Sequence, residues 1–265
     1  FAAARQAAVQ ALCPGADIAA LLDKPNNNLA VEYCKAIIEQ GVEMQPIALP
    51  RQGADHGQAL TESSHAAFAS ASALRALWAE GGAAALAPYV PEKALKLYKQ
   101  AEYDGKYTDF AVMGHCELAL LRAACTEQAP FAAVRGVSEG LEHRLENAVR
   151  ETASLPTLLD ALTTVRYPRA RMRRLAMDAA LGYTAQTPAL PPYLHLLGAR
   201  KEALSLPGET ALPLSHSLAR LARENETCAQ MAAAQSRASD LGALCRAKPE
   251  PMGGIYRQKI IFLTN

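Results

Sequence analysis

Beyond Pro88 the chain carries helix-like texture and little else, and this constrains the fold more than any single motif. Half of its 265 residues are apolar, yet Ala and Leu dominate and only 6% are aromatic. That mixture favours helices over sheets. The pattern predicts helices over 91–103, 108–127, 138–152, 156–164 and 170–181, with a further helix over about 224–246. Ser154 stands ahead of Leu155 and Pro156 as an N-cap stands ahead of a first-turn proline. Within 138–152, Leu141 and Leu145 are expected to face a core. Segments 193–197 and 255–263 read as strands. No internal repeat or low-complexity tract interrupts the chain.

Ahead of Pro88 the order of elements changes. Residues 1–12 read as a helix end, stopped by Cys13-Pro14-Gly15. Asp23 or one of Asn26, Asn27 and Asn28 is expected to cap a helix over about 29–40, which Gly41 terminates. The apolar run 44–49 reads as a strand, and polar, Gly-containing 51–65 as a mobile loop over a site. Ser70 or Ser72 then caps a helix that runs to Ala79 and ends at Gly81-Gly82. Strand, loop, helix is the order found at the closing edge of a doubly wound α/β domain. The division expected is therefore 1–85 for an α/β part and 86–265 for a mainly helical part, with the boundary inside 81–91.

Composition removes several function classes. With 27 Lys and Arg against 26 Asp and Glu, the net charge of +1 leaves any nucleic-acid footprint to local clusters. No stretch approaches the ~18 apolar residues of a membrane span, and no basic segment precedes an apolar one as in a signal peptide. The six cysteines form no CxxC pair and no Cys/His metal spacing, which predicts reduced, buried thiols in a cytoplasmic protein and no metal site. The chain opens on Phe1 and runs straight into helix-like sequence, so it is expected to be a fragment.

Four constellations carry chemistry. Asn residues tolerate left-handed backbone angles and cap helices, and helix starts leave unpaired N–H groups with partial positive charge, which suits phosphate. At Ser70, Ser72 and Arg75, two hydroxyls at a helix start meet a guanidinium one turn on, as a triphosphate demands. Arg51, with Gln52 after it, ends an apolar segment where an open α/β sheet faces its ligand crevice. The fourth is Arg166-Tyr167-Pro168-Arg169-Ala170-Arg171-Met172-Arg173-Arg174, five arginines in nine residues without an acid. Arginines bind phosphate bidentately and Tyr167 offers a stacking face, so this is a footprint for a nucleic-acid backbone. Each has a plainer alternative: a capped loop, a Ser-capped helix, a solvated loop, and a solvated helix face pairing with Glu139, Glu142, Glu146 or Asp178.

In their order and spacing these segments resemble the bacterial tRNA(Met) cytidine acetate ligases. The likeness runs through Lys24-Pro25-Asn26-Asn27-Asn28-Leu29-Ala30-Val31-Glu32-Tyr33, Arg51 to His56, Ser70 to Arg75, Glu139 to Arg144 and Arg166 to Arg174, with weaker stretches at 193–198 and 238–241. The resemblance implies a fold: the C-terminal portion of a Rossmann-like nucleotidyltransferase domain, followed by a helical tRNA-binding domain. It also implies an activity, in which ATP, with Mg2+, activates acetate as acetyl-adenylate. The acetyl group then passes to the wobble cytidine of elongator tRNA(Met), forming N4-acetylcytidine. By the same likeness Asn26, Asn27, Arg51, Gln52, Ser70, Ser72 and Arg75 are expected at ATP, and Arg166, Tyr167, Arg169, Arg171, Arg173 and Arg174 at tRNA.

The chain departs from the family pattern in three places. The catalytic His-x-Gly-His is nowhere in it and is expected before Phe1, which predicts that the chain alone does not catalyse adenylation. Thr163 and Val165 stand where the basic element usually begins with lysines. Asp55 stands where a Tyr usually precedes the loop His. Two other readings stay open: a non-catalytic RNA-binding protein with a degenerate nucleotide pocket, and a small-metabolite adenylyltransferase.

Overall fold

A computed structural model describes residues 2–14, 22, 24–49, 69–203 and 210–263. The chain divides into two units, residues 1–73 and 74–265.

In the first unit, α1 spans Ala2–Leu12 and α2 spans Pro25–Gln40. The latter starts earlier than its sequence pattern predicts. Pro25 holds the first-turn position, where its missing N–H is no loss and its fixed φ suits the helix. The three asparagines therefore lie inside the first turn, and the residue before the helix is Lys24, whose side chain does not cap it. Gly41 ends the helix at φ 60°, with the Gly41 and Val42 N–H groups donating to Ile38 and Ile37 carbonyls in a left-handed cap. Segment 44–49, expected as a strand, is exposed throughout and pairs with no strand among the described residues. A strand forms only where a neighbour takes up its backbone N–H and C=O groups. The expected loop 51–65 lies outside the described residues.

Helix α3, Ala71–Gly81, begins at the end of the first unit, and a short 3-10 turn, Ala83–Leu86, follows it. The second unit continues with α4 (Glu92–Asp104), α5 (Phe110–Ala124), α6 (Leu141–Glu151), α7 (Leu155–Leu162) and α8 (Arg169–Ala180). Each matches a helix predicted from sequence within a few residues. The caps explain the boundaries: Asp109 accepts from the Ala111 and Val112 N–H groups, and Ser154 from Thr157 N–H ahead of Pro156. Helix α6 starts at Leu141 rather than at Ser138, because Gly140 at φ 80° turns the chain immediately before it.

Helices α5 to α8 pack around one core. In α6 the buried Leu141, Leu145, Ala148 and Val149 follow the i, i+4, i+7, i+8 spacing of a single apolar stripe. They meet Leu118 and Leu121 of α5, Leu158 and Leu162 of α7, Met172 and Leu175 of α8, and Phe131 from the connection. Burying one such leucine is worth about 1.5–3 kcal/mol.

A smaller core forms around Tyr193, Leu218, Leu221, Cys228 and Ala232, joining α9 (Leu218–Leu221) to α10 (Glu226–Leu244). Strand content is slight. Strand β1 (Leu194–His195) pairs in parallel with β3 (Leu214–Ser215), and β2 (Gly198–Arg200) with β4 (Ile261–Leu263). The predicted strand over 255–263 is reduced to its last three residues because Gly254–Arg257 forms a 3-10 turn. Among the described residues no helix is long and apolar enough to cross a membrane. Of the six cysteines, all free, Cys228 and Cys245 are buried, whereas Cys13 and Cys34 are exposed, contrary to the sequence expectation of burial.

Candidate functional site

At the start of α2, Asn26 is exposed, while the Asn28 amide donates to the Leu22 carbonyl at 2.6 Å and to Lys24 at 3.3 Å. The Asn27 and Asn28 backbone N–H groups donate to Lys24 O. Asn28 therefore holds the turn together, and Asn26 is the member of the cluster whose side chain faces solvent. At the start of α3, Ser70 is buried and its Oγ accepts from Ala73 N–H at 3.2 Å. The Ser72 hydroxyl sits 3.0 Å from it. Of the two serines expected as the cap, Ser70 fills the role. Arg51 and Gln52 lie outside the described residues.

The arginine segment resolves into distinct roles. Arg166 forms an ion pair with Glu139, and Tyr167 Oη donates to the same carboxylate at 2.9 Å. Arg166 and Arg171 both lie over the Tyr167 ring, 5.7 and 5.1 Å from its centroid, so the ring expected as a stacking face is already engaged. Arg169 pairs with Asp160 of α7. Asp178, expected as a partner for this segment, is bound instead by Arg135 through two hydrogen bonds of 3.1 and 2.8 Å. Arg173 and Arg174 are exposed and make no hydrogen bond or ion pair among the described residues. Part of the segment is therefore spent on structure, and part presents unneutralised charge.

Arg173 and Arg174 border a cavity of about 840 Å³ that also takes in Arg75, Arg169 and His115. Its walls are apolar, with Phe110 and Met113 from α5, Leu155 from α7 and Met177 from α8. Glu117 of α5 lines it as well. This residue is fully buried, and neither carboxyl oxygen has a hydrogen-bond partner. Burial pushes the carboxyl up to about 7, against the pull of the Arg173 guanidinium. Sequence reasoning passed over Glu117. Its signal is the one acid within a mainly apolar helix, four residues before Leu121 on the buried stripe.

Two smaller cavities flank the same segment. One of about 450 Å³ is lined by Glu139, Arg144 and Tyr167, and one of about 280 Å³ by Arg135, Arg171, Arg174 and Asp178. Among the described residues no three His, Cys, Asp or Glu side chains converge as metal ligands would.

The fold and the sequence pattern together define a class. The chain belongs to the HIGH nucleotidyl transferase family, whose model matches residues 1–252. It is 30% identical over 186 residues to a tRNA(Met) cytidine acetate ligase of Listeria monocytogenes, a match covering 68% of this chain and 45% of that protein. A protein of the same name from Thermoanaerobacter is 27% identical over 203 residues, covering 75% and 49%. The chain thus spans about half the length of these curated relatives. Crystal structures of Thermotoga maritima TmcAL share the fold at 21% identity. The form bound to alpha-thio ATP has a TM-score of 0.81, covering 100% of this chain and 67% of the other, and an apo form has 0.76, covering 92% and 62%. These likenesses match the expected fold class, the closing portion of an α/β nucleotidyltransferase domain followed by a mainly helical domain.

Proposed function

We propose that the chain is part of an ATP-dependent ligase that acetylates the wobble cytidine of elongator tRNA(Met) in the cytoplasm. The observation that carries this reading is the 30% identity to a protein named tRNA(Met) cytidine acetate ligase over two thirds of the chain. The alpha-thio ATP bound to Thermotoga maritima TmcAL supports ATP as the co-substrate. In the reaction an acetate oxygen attacks the α-phosphorus, pyrophosphate leaves, and the cytidine amino group takes the acetyl from the resulting acetyl-adenylate, releasing AMP.

Asn26, Asn27, Arg51, Gln52, Ser70, Ser72 and Arg75 are assigned to ATP and its Mg2+-bound phosphates. Helix starts and guanidinium groups stabilise the charge that develops on a leaving pyrophosphate. Arg166, Arg169, Arg171, Arg173 and Arg174, with Tyr167, are assigned to tRNA. Arg173 and Arg174 bear most of this role, because Arg166 and Arg169 are already paired within the fold. A guanidinium outside any ion pair gives up less on meeting a phosphate. The test is acetate-dependent ATP–pyrophosphate exchange by the full-length gene product, together with N4-acetylcytidine formation in an elongator tRNA(Met) transcript. Exchange and product are expected, and absence of both overturns the assignment.

A further inference from the structure

Two aromatic rings border the cavities beside the arginine helix, Tyr167 and Phe110. Tyr167, the stacking face expected from sequence, is covered by Arg166 and Arg171. Phe110 is free. It opens α5 and is 70% exposed, and among the described residues its ring meets no other ring and no cation. Tyr107, three residues earlier, differs, because its ring packs on Trp78 at 5.9 Å. The backbone beside Phe110 is pinned on both sides. The Asp109 N–H donates to the Cys245 carbonyl at 2.8 Å, and the Ala247 N–H to the Tyr107 carbonyl at 3.0 Å. Asp109 also caps α5 through the Ala111 and Val112 N–H groups. A ring held on so fixed a base loses little freedom when a ligand lies against it.

An exposed phenylalanine alone signifies nothing, since much of any protein surface is apolar. Its surroundings here are the informative part. Phe110 lines one cavity with Arg75, Arg173 and Arg174, all three exposed and outside any ion pair among the described residues. A purely apolar partner would leave those guanidinium groups unused, and a bare phosphate would leave the ring unused. Single-stranded RNA answers both, because each nucleotide brings a flat π-face and a phosphodiester.

We propose that Phe110 is a base-stacking residue for tRNA: one unstacked base of a tRNA loop lies on its ring, and Arg173 and Arg174 hold the adjoining phosphates. The inference rests on the reading that the arginine helix binds tRNA. It adds to that reading a contact outside the arginine helix, made by dispersion and π-stacking rather than by charge. Stacking accepts any base, so the ring supplies affinity and position rather than sequence choice. Arg75, assigned to ATP, borders the same cavity, so the stacked base lies on the side of the fold that meets the nucleotide.

The test uses the full chain, labelled heptacytidylate, a heptamer abasic at every position that carries the same phosphates, and an elongator tRNA(Met) transcript. Wild type is expected to bind heptacytidylate about tenfold more tightly than the abasic heptamer. In Phe110→Leu, which stays apolar but loses the π-face, that preference disappears and the transcript binds about tenfold more weakly. In Phe110→Trp both are restored, a rescue that a merely structural role would not produce. The dependence of binding on salt stays as in wild type in Phe110→Leu, because no charge is touched. In Arg173→Ala/Arg174→Ala the slope of log K against log salt flattens by about 1 to 2.

Equal binding of the two heptamers by wild type overturns the stacking contact, as does transcript binding that Phe110→Leu leaves intact. If the slope still flattens in the arginine variant, the arginine reading stands without Phe110. A slope unchanged in that variant overturns the arginine reading and this inference with it. If Phe110→Leu weakens the binding of ATP and not of the transcript, the ring serves the adenine, and the proposal is overturned.

Discussion

Replacing Glu117 with Gln tests the physical account of the helical core without any ligand. In the folded chain the carboxyl titrates at about 7, against 4.5 for an ordinary glutamate. Below pH 4.5 the group is neutral both folded and unfolded, and it adds no pH dependence. Between 4.5 and 7 the unfolded chain loses the proton while the folded chain keeps it, so stability falls as pH rises. Above about 7 both states are ionised and the curve levels. At about 1.4 kcal/mol for each tenfold in proton affinity, the total loss is about 3 kcal/mol. The amide of Glu117→Gln carries no charge at any pH, so its own cost is constant. The assay is urea unfolding at pH 4.5 and pH 8, followed through Trp78, which packs against Tyr98 and Tyr107 in the same unit. Subtracting the variant from the wild type cancels the remaining carboxylates and isolates this one. The wild type should lose about 3 kcal/mol more than the variant over that interval. Parallel curves, within about 0.5 kcal/mol, would refute a buried and unpartnered carboxyl.

Three further outcomes follow from the packing. Leu145→Ala, at a fully buried position between α5 and α7, should destabilise the helical unit by about 2–5 kcal/mol in urea unfolding. Asp109→Ala removes the side chain that accepts from two N–H groups at the start of α5 and should cost about 1 kcal/mol, with Asp109→Asn recovering most of it. Burial, reinforced by a hydrogen bond with Cys116, pushes the Cys245 thiol up to about 11. Iodoacetamide at pH 8 should therefore label the exposed Cys13 and Cys34 long before Cys245, as mass spectrometry of the digest would read.

Agreement between sequence and structure was strongest where the signal is local. Helices α4 to α8 and the caps at Ser70 and Ser154 were legible because a helix pairs its own backbone and advertises its buried face every three to four residues. Proline in the first turn outweighed the asparagines at α2, a competition between two local signals that the sequence reading settled the wrong way. Segment 44–49 shows the opposite case, since its apolar composition satisfies a strand pattern while strand formation depends on a partner elsewhere in the chain. The same dependence hides β3, only two residues long, and its parallel pairing with β1, which no local pattern announces.

The order of residues alone determined the helical character, most helix ends, the concentration of arginine on one helix and the family to which the chain belongs. Tertiary structure decided which of those arginines are spent on Glu139 and Asp160 and which stay unpaired. It also decided that an acid from α5 and guanidinium groups from α8 share one cavity. Periodicity and capping act within a turn or two of backbone, whereas the charge state and availability of a side chain depend on which other elements remove it from water.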